Sequence, residues 1–277
     1  MNTREKILRM IANTSIMYVY HIKENGLLHG KTGVMYYLYL YAQHSGDEIC
    51  YDFAGELLDG LMNSTVNAPS SFEEGIAGLG WAVGRLLRSD IVGGTPNSVL
   101  ATVDRRLVEA MKHGAWSDLW NELLYFAGRM GDNPADIGEI LKTILSYLLW
   151  QARDKNAELS SSRKRAVRLY ISKIKDFDIP HEIMGLCRQL ESYVIGEGTS
   201  NAQQMSQDDN PVAGQIQSVI SSSVWNLILN ELMPSFGFSM DGLLEYVESR
   251  QKCFTPDELK LSGGLAGLGT LLLSHNL

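Results

Sequence analysis

The chain has 277 residues, 45% of them hydrophobic, which is enough for a sizeable core and excludes disorder as its main state. With 32 acidic against 24 basic residues the formal net charge is −8, so its long-range field repels nucleic acid and no nucleic-acid partner is expected. Cys50, Cys187 and Cys253 lie far apart with no CxxC pair, which excludes a disulfide framework or a zinc ribbon and fits a reducing, cytoplasmic location.

At the start of the sequence Arg4, Glu5, Lys6 and Arg9 precede a mixed stretch, Ile11 to Tyr20, which Asn13, Thr14 and Ser15 interrupt. No uninterrupted apolar core of a signal peptide follows the charges. No run of about 18 apolar residues occurs anywhere, so no membrane span is expected.

The next segment, GLLHGKTGVMYYLYLY from Gly26, sets a G-x-x-G unit (Gly30 and Gly33) ahead of a helix-length apolar stretch. The unit returns in EGIAGLGWAVGRLL from Glu74, with Gly75 and Gly78, and in GGLAGLGTLLL from Gly263, with Gly264 and Gly267. Gly30 and Gly75 are 45 residues apart, about two helices with their connections, because globular helices run roughly 11 to 14 residues. The repeat is therefore a helical hairpin. From Gly75 to Gly264 is 189 residues, close to four such periods, and drifted apolar helices are expected near Trp116, His181 and Ser222. That makes about six hairpins.

The connecting segments carry helix signals of their own. Phe53, Leu57, Leu58, Leu61 and Met62 form one apolar stripe. Thr95 and Pro96 read as an N-cap and first helical residue, followed by Leu100, Val103, Leu107, Val108 and Met111 at helical spacing. Asn133 and Pro134 repeat the pattern before Ile137, Ile140, Leu141, Ile144, Leu145 and Leu148. Arg163, Lys164, Arg165 and Arg168 form a basic cluster, read as a solvated helix face. Thr255, Pro256 and Glu258 resemble a capping box ahead of the last glycine motif. β-branched residues alternate nowhere, so no substantial sheet is expected. The polar segment at about 196–210 reads as an exposed insertion within a single domain spanning 1–277.

Glycine at a helix start costs about 1 kcal/mol relative to alanine, so something must offset it. Close approach of helices and turns is one account; backbone N–H groups exposed to an anion or carbonyl is another. GIAGLG and GLAGLG are no dinucleotide fingerprint, since no strand precedes them.

On GLLHGKTG, GIAGLGW and GGLAGLG, in this order and spacing, the chain resembles the lanthionine synthetase C-like family from Gly26 to Leu273. The segment from Tyr51 through Arg106, with F-x-x-GIAGLGW and VDRRL, is most similar to members found beside peptide-maturation genes in Bacteroidetes. The resemblance implies an all-α fold, an α/α toroid whose inner helices point their N-terminal ends at a central cavity inside an outer ring. In catalytic members of that family zinc sits there on two cysteines and a histidine and activates a peptide thiol for thioether formation. The ligands come from a tryptophan-cysteine-x-glycine and a cysteine-histidine-glycine motif, and this chain has neither. Zinc enters by resemblance alone, and no other cofactor is evident.

The residues set toward such a cavity are His29 and Lys31 in the first motif, Glu73 and Glu74 before the second, and Asp118, His181 and Glu182 in drifted repeats, with Glu122 a further candidate. His181 and Cys187 are the one local thiolate–imidazole pair, although six residues do not set two side chains on one helical face. Tyr36, Tyr37, Tyr39 and Tyr41, with Trp116, Trp120 and Tyr125, either pack the core or line a groove. The expectation is a peptide- or protein-binding member of the family without its zinc catalysis. The alternative is a carbohydrate-active (α/α)6-type hydrolase or lyase, which needs two carboxyl groups across a cleft.

Overall fold

The computed structural model describes residues 2–112, 119–153, 168, 171, 180–195, 215–221, 239–252 and 254–274. Asp118, Cys253, Trp116, the insertion at 196–210, the apolar segment from Ser222 and all of the basic cluster except Arg168 lie outside them. Among the described residues the structure is all-helical, with no strand. The principal helices are α1 (Thr3–Tyr18), α2 (Lys31–Ser45), α3 (Glu48–Asn63), α4 (Ile76–Arg88), α5 (Pro96–Val99), α6 (Ala101–Lys112), α7 (Leu119–Arg129), α8 (Pro134–Arg153), α9 (His181–Ile195), α10 (Met240–Lys252) and α11 (Leu265–Ser274). None of the described helices is long and apolar enough to cross a membrane.

Local chemistry sets where these helices begin. Asn2 caps α1 by accepting the Glu5 N–H at 2.8 Å, and Asp47 caps α3 by accepting that of Cys50 at 3.1 Å. Pro134 opens α8 as the sequence predicts, and Ile137, Leu141, Ile144, Leu145 and Leu148 are buried along it. The helix expected from Pro96 is two helices, because Leu100 adopts φ −92°, ψ 0° between α5 and α6. Bonds from Leu100 N–H to Pro96 O and from Asp104 N–H to Leu100 O carry the ladder across, so Leu100, Val103, Leu107 and Met111 stay on one buried face. The capping box at Thr255 does not form. Pro256–Leu259 is a 3-10 turn without a side-chain cap, and the Glu258 carboxylate accepts from Arg250 at 2.9 Å instead.

The chain divides into two compact units. The first holds α1 to α4, α10 and α11, and therefore all three glycine motifs. In it α2 packs against both α4 and α11, while α1 packs against α2, α10 and α11, and α3 against α2. Tyr37 is where α1, α2 and α11 meet. Its buried hydroxyl donates to the Leu8 carbonyl at 2.7 Å, and its ring lies where any side chain on Gly269 would stand, 2.2 Å from the first carbon. The second unit holds α5 to α9, with α8 packed on both α7 and α9.

Helix α4 ends on Asp90, which takes the left-handed conformation at φ 52°. Its N–H donates to Leu87 O and that of Ile91 to Leu86 O, the paired bonds of a Schellman cap in which glycine is the preferred residue. Asp90→Gly is expected to raise stability by about 0.5–1 kcal/mol in thermal melts, because glycine carries no left-handed penalty. A loss of stability would mean that the aspartate side chain makes a contact worth more than that penalty.

Candidate functional site

The three glycine-motif turns share one backbone design. Each is a tight turn whose first residue (Leu27, Phe72 or Leu261) is buried and whose last residue (Gly30, Gly75 or Gly264) precedes the helix. The N–H of Lys31 donates to Glu24 O at 3.0 Å and that of Ile76 to Pro69 O at 2.9 Å, in both cases seven residues upstream. Those first-turn N–H groups are thus used by the turn itself instead of facing an anion.

The glycines of the first and last motifs answer to sterics. A methyl group on Gly33 would lie 2.3 Å from Leu27 O, and one on Gly267 would lie 1.9 Å from Leu261 O, six residues upstream in each case. The carbonyl belongs to backbone that folds back over the first helical turn, so no rotamer change relieves the overlap.

Equivalent turns are bonded to one another. Ser262 N–H donates to Leu28 O at 3.0 Å, and Leu28 N–H donates to Glu73 O at 3.0 Å. Ser262, Leu28 and Glu73 hold the same place in the three motifs, two residues before the helix-opening glycine. The pairing brings four of the sequence-predicted residues to one end of α2 and α4. His29 and Lys31 are half-buried there, and Glu73 and Glu74 are exposed. Beside them a water-sized recess is lined by Asn25, Leu61, Ser64, Thr65, Glu74 and Ile76.

The remaining candidates within the described residues belong to the second unit. His181 and Glu182 open α9 in the second unit, both exposed, and the Glu182 carboxylate pairs with Lys142. The hydrogen bond from Lys142, and its charge, lower the Glu182 pKa. Cys187 is wholly buried on the same helix that leaves His181 in solvent, so the pair does not present a thiolate and an imidazole to one point. Among the described residues no group of three or more His, Cys, Asp or Glu could hold a metal ion.

Cys50 is buried as well, and its burial, then the Asp47 carboxylate, push the thiol up to about 12. Such a thiol is unreactive at neutral pH. With native protein, a disulfide reagent such as dithionitrobenzoate is expected to leave Cys50 and Cys187 unmodified, and to reach them once urea unfolds the chain. Fast native labelling of either residue, located by peptide mass mapping, would contradict the buried placement.

The aromatic residues of α2 serve the core. Tyr36, Tyr37, Tyr39 and Tyr41 are at most 6% exposed, with Tyr36 against Trp81 at 5.7 Å and Tyr39 edge-on to Tyr51 at 5.2 Å between ring centroids. Tyr125 is buried in the second unit, in a polar cluster that the sequence reading missed. The Arg129 guanidinium, 3% exposed, donates through Nη2 to Asp104 Oδ2 at 2.8 Å and to Asn97 Oδ1 at 3.1 Å, and through Nη1 to Asp132 Oδ2 at 2.6 Å. The Tyr125 hydroxyl donates to Asp104 Oδ1 at 2.5 Å. Burial opposes the charge of Arg129, but the Asp104 hydrogen bond outweighs it and holds the pKa above the ordinary arginine value. Burial, then the Asp104 charge, push Tyr125 well above the ordinary phenol value. The available signal was Tyr125 and Arg129 four residues apart, on one face of the otherwise apolar stretch LLYFAGR. Its bonds are mutual, which makes it a clasp between α5, α6 and α7.

Comparison with protein-family models, curated proteins and solved structures finds no match for the chain.

Proposed function

We propose that the protein is a lanthionine synthetase C-like α/α toroid, working in or derived from peptide modification. In this reading it holds a peptide or protein partner at the helix-opening turns of its glycine motifs and does not use the family's zinc chemistry. One observation carries the reading: the motif turns are joined in the order Ser262, Leu28, Glu73, which sets the last motif beside the first and the first beside the second. A ring of helical hairpins needs that order, whereas a linear array of hairpins would leave the first and last motifs apart. His29, Lys31, Glu73 and Glu74 then give the shared end of α2 and α4 charges of both signs, suited to a polar peptide backbone and its side chains.

The test uses a fluorescein-labelled peptide containing one cysteine and one dehydroalanine, with binding read by fluorescence anisotropy. Lys31→Glu and Glu73→Lys are each expected to weaken binding about tenfold, roughly 1.4 kcal/mol, with the urea midpoint unchanged. Equal affinity in the parent and both variants would place the partner elsewhere. Conversion of the peptide to its thioether, seen as loss of the free thiol, would overturn the non-catalytic reading.

A further inference from the structure

We draw no further inference here: the strongest candidate, the outward stripe of α3 formed by Glu48, Asp52, Glu56 and Asp59 beside the exposed Ile49, is an acidic surface patch, and nothing in the structure shows what covers it.

Discussion

Arg129→Met is expected to destabilise the second unit by about 3–5 kcal/mol, the usual cost of removing one partner from a buried ionic cluster. The side chain is only 3% exposed, and its partners Asp104 and Asp132 are 21% and 10% exposed. Methionine fills much of the volume but supplies no cation, so two carboxylates close to one another lose the charge they share. The consequence reaches three helices, because Asn97 stands on α5, Asp104 on α6 and Arg129 on α7. Arg129→Lys should recover only part of the loss, since an ammonium cannot reproduce the two-pronged contact with Asp104. Urea unfolding followed by circular dichroism measures both variants. A change below about 1 kcal/mol for Arg129→Met would mean that the cluster behaves like a solvated surface pair.

Gly267→Ala is expected to cost about 3 kcal/mol, near the upper end for overpacking, and Gly33→Ala slightly less. The added methyl on Gly267 would meet Leu261 O at 1.9 Å and Ile220 Cγ2 at 2.9 Å, and on Gly33 it would meet Leu27 O at 2.3 Å and Leu261 Cβ at 2.7 Å. Each overlap includes a main-chain carbonyl, so the turn itself must open, and with it the bond between Ser262 and Leu28. Gly60→Ala is the control. Gly60 lies within α3 with nothing inside 4 Å of an added carbon, so alanine should stabilise the helix by up to about 1 kcal/mol. Thermal denaturation of the three variants compares them directly. If Gly267→Ala proves as benign as Gly60→Ala, close backbone approach is not why the motif glycines are there.

The helical class and the hairpin starts were legible because period and capping residues act locally. Apolar spacing marked α3, α6 and α8, and Asn133 with Pro134 marked the start of α8. Glycine recurrence marked α2, α4 and α11, and at Gly33 of α2 and Gly267 of α11 a side chain would overlap backbone only six residues upstream. What stayed hidden depends on the folded backbone and on partners that residue type and spacing do not announce. Glu258 reads as a capping residue until Arg250 is placed against it, and Leu100 reads as mid-helix until its ψ near 0° divides α5 from α6. The bonds among Ser262, Leu28 and Glu73 are made by backbone groups, which no side-chain pattern announces. Of the candidate site, the sequence located His29, Lys31, Glu73 and Glu74 near helix starts, but only the pairing of the two turns brings them to one end. The Arg129 cluster draws on four segments, so although Tyr125 and Arg129 interrupt an apolar stretch, their partners Asn97, Asp104 and Asp132 do not stand out from the local sequence.

Elemental analysis of the purified 277-residue chain, run alongside Cys187→Ala, tests the proposed function most directly. Zinc well below one ion per chain in both proteins, with the labelled peptide still bound, is the expected result. About one zinc per chain, lost in Cys187→Ala, would contradict it, because a thiolate site would then exist and thioether formation would be the reaction to assay.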